Sequence, residues 1–174
     1  MRVTQDIDIT PQSVLLNGKP IEVSETGDKM LVELYRRYVK DYPKFFKMDT
    51  LSRLGFIAAE LLLQDQTVDA VILANRSASI KNDTDYLETI SNGNYYPSPA
   101  LFVYTLPNIV TGEIAIRNKY YGESSFYVLD DEHQLEKIIA LAFEQTQTQS
   151  VLTGWVECTD ENTFEAHVRL LKKL

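Results

Sequence analysis

The sequence predicts an α/β domain built on a mixed sheet with helices on both faces. Three observations carry that prediction. Two short runs, VDAVILAN (68–75) and SVLTGWVEC (150–158), are almost continuously apolar and rich in β-branched residues, the pattern of strands buried on both faces. Around them lie amphipathic stretches with 3.6-residue spacing, clearest in MDTLSRLGFIAAELLLQ (48–64) and in residues 132–145. Alternation of the two patterns along the chain requires helices packed on sheet faces. No composition shift, repeat or low-complexity run divides the chain, so residues 1–174 are expected to form a single domain.

The elements follow in order. Residues 3–24 alternate about Pro11 and the pair Asn17-Gly18, a strong two-residue turn signal, and predict an opening hairpin with VLL and PIEV as its arms. In DKMLVELYRRYVK (28–40), Met30, Leu31, Leu34, Tyr35 and Tyr38 have helical spacing, with Asp28 as N-cap and Pro43 beyond the end. The next helix, 48–64, carries Leu51, Leu54, Ala58, Leu61 and Leu62 on a broad stripe and is capped by Asp49 or Thr50. The strand 68–75 is expected near the sheet centre. A polar loop leads through Asp83 or Thr84 into a short helix, DYLETIS, and Asn92-Gly93-Asn94 with Pro97 and Pro99 marks a loop. SPALFVYTLPNIVTGEIAIR (98–117) reads as a Pro-bounded strand, a turn at Leu106-Pro107-Asn108, and a helix. Ser125–Leu129 is a strand, and residues 132–145 bury Leu135, Ile138, Ile139, Ala142 and Phe143. In TFEAHVRLLKKL, Phe164, Ala166, Val168 and Leu170 alternate with Glu165, His167 and Arg169, which predicts an edge or outer strand.

A net charge of −8 argues against general binding to DNA or an anionic membrane, which needs clustered Lys and Arg. The N-terminus has no apolar signal region, and no apolar run reaches the roughly 18–20 residues of a membrane span, so a cytoplasmic protein is expected. The single cysteine, Cys158, excludes an internal disulfide and any CxxC motif, and its apolar strand predicts core packing. The sequons at Asn75 and Asn82 then carry no weight. With two histidines and no His-Glu-x-x-His motif, neither a metal nor a cofactor is expected. His133 lies at an acidic helix start, His167 faces solvent or a partner, and Asp130, Asp131 and Glu132 form a solvated cap complementing the helix dipole. One segment runs against the overall sign. YRRYVKDYPKFFK (35–47) holds Arg36, Arg37, Lys40, Lys44 and Lys47 against one acid. It is either the basic polar face of a helix or a docking patch for an acidic partner.

Three segments resemble the N-terminal half of the β-ketoacyl synthases, the condensing enzymes of the thiolase-like fold. FKMDTLSRLGFIAAELLL is similar to their Arg/Lys-Met-Asp helix, and DAVILANRSASIKNDTDYLETI to a strand and its following loop. SPALFVYTLPNIVTGEIAIR resembles the Ser-Pro-x-x-Phe…Asn-x-x-x-Gly form of the nucleophile elbow in the divergent branch of bacterial aryl-polyene and pigment pathways. The later SVLTGWVEC is similar to the family's core strand. The resemblance covers residues 45–174 and implies one thiolase half, of βαβαβαββ order, with residues 1–24 as a hairpin extension.

The same resemblance implies what is missing. A full condensing enzyme has a second half that supplies its acid–base histidines, and a cysteine at the tip of the elbow, where a helix N-terminus favours the thiolate. Here the elbow holds Tyr104, Thr105, Leu106, Pro107 and Asn108, with Gly112 in the helix beyond. Leucine and proline form no thioester, and Thr105 has no base near it in sequence, so no catalytic residue is expected. Its hydroxyl is expected to satisfy a helix N–H, and Gly112 to permit close approach of a neighbouring element. The resemblance thus implies a non-catalytic subunit, comparable to a chain-length factor, in fatty-acid, polyketide or aryl-polyene biosynthesis. A small acyl-transfer enzyme with a rebuilt site, and an acyl-binding or carrier-protein-binding module, are the competing expectations. The surface that normally meets the second half would be exposed and apolar, which implies pairing with a second copy or with a complete synthase. The basic segment would then suit an acyl carrier protein.

Overall fold

The computed structural model describes residues 1–174 except Asp65, Asn92 and Asn94, so the predicted loop at Asn92-Gly93-Asn94 lies largely outside the described residues. Its sheet has seven strands: β1 (Arg2–Thr10), β2 (Ser13–Leu16), β3 (Lys19–Pro20), β4 (Ala70–Asn75), β5 (Glu123–Val128), β6 (Ser150–Asp160) and β7 (Thr163–Lys172). They run in the order β3-β2-β1-β7-β6-β4-β5. β4 is parallel to both β5 and β6, and every other pair is antiparallel. Helices α1 (Gly27–Leu34), α2 (Thr50–Leu63) and α5 (Ile109–Asn118) bury the main core against one face, while α6 (Glu132–Glu144) buries a second cluster against the other. Two further helices, α3 (Ile80–Thr89) and α4 (Pro99–Val103), follow β4. With the β2–β3 hairpin set aside, the order is the expected βαβαβαββ, but its first strand is β1, which pairs with β7 and buries Ile7 and Ile9 in the main core, so residues 2–10 belong to the sheet and not to the hairpin extension expected over 1–24.

Local chemistry explains the elements that match. Asn17 and Gly18 both take positive φ, 52° and 71°, as the predicted tight turn requires. Asp49 caps α2 by accepting the Ser52 N–H at 3.0 Å, and twelve of the helix's residues are buried. β4 is buried throughout because α5 and α6 cover its two faces.

Other elements depart from expectation. β4 lies next to the sheet edge rather than at its centre, with β5 outside it. β7 is the reverse case: its strict alternation suggested an edge, yet it is bonded to β1 on one side and β6 on the other. Alternation here records burial of one face, with Phe164, Ala166, Val168 and Leu170 in the main core and Glu165, His167 and Arg169 on the opposite side. The helix predicted over 28–40 is regular only to Leu34, after which Tyr35–Val39 widen to π geometry and Lys40 closes the segment at φ 71°. The wide turn is held by the Tyr35 ring, stacked on Phe45 at 4.3 Å, and by its hydroxyl, which accepts the Tyr42 N–H at 2.8 Å. Thr26, not Asp28, is the N-cap residue of α1, and Asp28 instead pairs with Arg53 at 2.6 Å. α3 starts after Ser79, ahead of the expected caps Asp83 and Thr84, because the Asn75 side chain folds the preceding turn onto Ala78.

The largest departure is residues 99–103, expected as a strand and found as helix α4. Ser98 caps it through the Leu101 N–H at 3.3 Å, and Pro99 occupies the first turn, where its missing N–H costs nothing. None of its five residues is buried.

Two of the crowded glycines lie between elements of the core. A Cβ on Gly154 of β6 would lie 2.1 Å from the His167 carbonyl oxygen of β7, and one on Gly55 of α2 would lie 2.4 Å from Val110 Cγ2 of α5. Gly55→Val is therefore expected to destabilise the protein by about 1–3 kcal/mol through overpacking. The measurement is the urea midpoint, which falls while the m-value is unchanged.

Candidate functional site

Tyr104 to Asn108 joins α4 to α5, so the segment is helix–turn–helix and not the expected strand–turn–helix elbow. Tyr104 is buried, while Leu106 is 56% exposed. The Thr105 hydroxyl donates to the Phe102 carbonyl at 2.8 Å rather than accepting a helix N–H, and the Thr105 carbonyl accepts from Ser79 at 2.7 Å. Asn108 precedes α5 without a side-chain cap. Gly112 meets no neighbouring element: an added Cβ finds no atom within 4 Å. The close approach expected there belongs to Gly55.

A strand–turn–helix does occur, 23 residues further on. β5 ends at Val128, Leu129 donates its N–H to the Asn75 carbonyl at 2.8 Å, and Asp131 caps α6 through the Gln134 N–H at 3.2 Å. Here the carboxyl ends of β4, β5 and β6 come together, the usual place for a crevice in a parallel sheet. Two adjoining clefts of about 630 and 430 Å³ share Asp131, Glu132 and His167. His167 Nδ1 lies 2.8 Å from Asp8, Arg169 pairs with Glu132 at 2.6 Å, and the Arg76 guanidinium donates to the Asp130 carbonyl. Glu157 accepts the Arg76 N–H at 2.9 Å through one oxygen. The other is sealed and unpaired among the described residues. The clefts hold carboxylates, an imidazole pair and two guanidinium groups, and no thiol. Sequence reasoning identified Asp130, Asp131, Glu132 and His167 singly, and missed Arg76, Trp155 and Glu157, which only the sheet brings together.

This side of the sheet does not carry the exposed apolar surface that the resemblance implied. Beyond α6 it presents Asp6, Asp8, Glu165, His167 and Arg169, and the outer side of α6 itself carries Glu136, Lys137 and Glu144 around Leu141. Exposed apolar groups gather instead on α3, α4 and their links: Leu87, Tyr95, Tyr96, Phe102, Val103 and Leu106. The unit is tied together by Tyr86 against Phe102, by the Tyr96 N–H on the Thr89 carbonyl at 2.8 Å, and by Asn82 on the Leu101 carbonyl at 2.6 Å.

The basic segment is partly spent internally. Arg37 pairs with Glu33 at 3.1 Å, and Glu33 is held below the usual carboxylate range by the N–H groups of Ser24 and Glu25. Lys44 meets the buried Glu113 of α5 at 2.5 Å, and the Tyr42 hydroxyl donates to the same carboxylate at 3.0 Å. Burial, reinforced by Glu113, pushes the Tyr42 hydroxyl up to about 12. Arg36, Lys40 and Lys47 have no ion pair among the described residues.

No protein-family model matches the sequence, and no curated protein matches it. Among solved structures, the chain superimposes with a TM-score of 0.69 and 16% identity on a chain of the ketosynthase (ApeO) in complex with its chain length factor (ApeC) from Xenorhabdus doucetiae, covering 99% of this chain and 79% of that one. It is equally similar, at 0.69 and 16%, to a chain of the ishigamide ketosynthase/chain length factor, with 98% of this chain aligned and 61% of that one. The fold is thus that of a thiolase-like half, nearly end to end, and the chain spans about three fifths of the second structure's length. No described helix is long and apolar enough to cross a membrane.

Two outcomes follow. Cys158 is 1% exposed, and burial, with Asp49 nearby, pushes its thiol up to about 12. Only about one part in ten thousand is thiolate at pH 8, so a chromogenic disulfide should not react until the protein is unfolded. Gly112→Ala should raise stability by about 0.5–1 kcal/mol in urea melts, since the site is helical and open.

Proposed function

We propose that the chain is a non-catalytic, chain-length-factor-like subunit that pairs with a ketosynthase in polyketide or aryl-polyene-type biosynthesis. The observation that carries this reading is the β5–α6 turn. It has the strand-to-helix geometry in which a helix N-terminus activates a thiol, and it is occupied by Asp130 and Asp131, which form no thioester. The solved complexes of similar fold, which join a ketosynthase to a chain length factor, support the pairing.

Two surfaces suit a partner. β5 is bonded only to β4, leaving six residues of backbone open to strand addition. The apolar unit of α3 and α4 offers Phe102, Val103 and Leu106, and the turn Tyr104–Asn108 supports it as a shelf rather than as a catalytic elbow. Arg36, Lys40 and Lys47, exposed and without an ion pair among the described residues, are the part of the basic segment left to steer an acidic carrier protein, with Arg37 and Lys44 holding the segment in place.

Incubation with malonyl and acyl carrier-protein thioesters should give no acyl adduct and no carbon dioxide. A stoichiometric adduct on Thr105 or Cys158 would end the reading. Sedimentation with a ketosynthase should give a one-to-one complex that the double variant Phe102→Asp, Leu106→Asp weakens at least about tenfold. A species of about 40 kDa formed by the chain alone, unaltered by the synthase, would point to self-pairing instead.

A further inference from the structure

A third cleft, of about 250 Å³, shares no residue with those around Asp131. The starts of α1, α2 and α3 meet there, walled by Leu101 and Ala100 of α4 and by the β6–β7 tip at Glu161. Its charges are largely settled among themselves. Arg53 takes Asp28 at 2.6 Å, and Lys81 takes Asp85 at 2.6 Å and Glu161 at 3.8 Å. Asp49 is committed to the Ser52 N–H, and burial pushes its carboxyl up, toward the neutral form. Lys47 is left, exposed and with no carboxylate partner among the described residues.

The independent observation is Tyr104. Only 8% of it is exposed, and it lines the cleft, yet its hydroxyl has no hydrogen-bond partner among the described residues. The only side-chain polar atoms both sealed and unpaired among the described residues are Thr153 Oγ1 and Glu157 Oε1, so the Tyr104 hydroxyl reaches the open space of the cleft. The unspent polar groups include two donors, a phenol and an ammonium, with the Asn82 amide oxygen as an acceptor, beside the apolar surface of Met48, Ala100 and Leu101.

We propose that this cleft binds a small carboxylic acid, its carboxylate accepting from the Tyr104 hydroxyl and the Lys47 ammonium and its hydrocarbon part lying on Met48, Ala100 and Leu101. The volume equals about eight waters, which limits the ligand to the size of butyrate or benzoate. A phosphate dianion fits less well than a monoanion, because its second charge adds to the repulsion from Asp28, Asp85 and Glu161. The inference is independent of the pairing with a ketosynthase.

Titration of the full chain with benzoate and butyrate, followed by calorimetry and ligand-observed NMR, tests it. Benzyl alcohol and benzylamine serve as probes without the carboxylate. The expected result is saturable binding of the acids and not of the alcohol or amine, weakened at least about tenfold by Tyr104→Phe and by Lys47→Ala, and retained in Lys40→Ala. Tyr104→Phe keeps the buried ring, so its fold can be verified by an unchanged urea midpoint. Absence of saturable binding up to about 10 mM, where a millimolar site registers, would overturn the proposal. So would preference for benzylamine, or acid binding indifferent to Tyr104→Phe.

Discussion

The sheet is completed by a contact between the two ends of the chain. β7 is laid between β1 and β6, with Arg2 and Ser150 both opposite Lys172 and Ile7 and Gly154 both opposite Val168. Gly154 is the position where the two backbones come too close for a side chain. α2 packs on β1, β6 and β7 together, so its apolar girth has no complete surface to cover until the last strand is in place. The main core is thus a non-local product, dependent on pairings that span nearly the whole chain, the kind whose closure entropy is met before any burial compensates it.

The legible parts of the fold were those set by local chemistry. Asn17-Gly18 permits a primed turn and little else, Asp49 caps whatever helix follows it, and an apolar run such as 70–75 is covered wherever it lies. What the pattern did not contain is position within the sheet. β4 and β7 exchanged their expected places because burial on two faces does not require the centre, and alternation does not require an edge. Both errors have the same physical source: side-chain burial is perpendicular to the sheet, while strand order is in its plane.

The site was less legible, for a different reason. In Pro99–Val103 the apolar composition suggested a strand, whereas the Ser98 cap and Pro99 start a helix whose residues all remain at least partly exposed. Apolar residues on an interaction surface and apolar residues in a core read alike in sequence. The expected elbow was accordingly placed on a surface unit, while the real strand-to-helix turn, at Leu129–Asp131, looked like an ordinary acidic cap. The close approach expected at Gly112 occurs instead at Gly55, since only the helix–helix contact distinguishes an open glycine from a crowded one.

The two sides of the sheet differ in charge. The clefts beside α6 bring together seven carboxylates and two guanidinium groups, whereas Arg36, Lys40 and Lys47, on elements of the opposite side, have no ion pair among the described residues. A molecule with a net charge of −8 is therefore not uniformly negative but electrically polarised across its thickness. In the field of a charged partner it experiences a torque as well as a force, and turns before it touches. That alignment acts over about a Debye length, near 8 Å at physiological ionic strength, and fades as salt shortens that length.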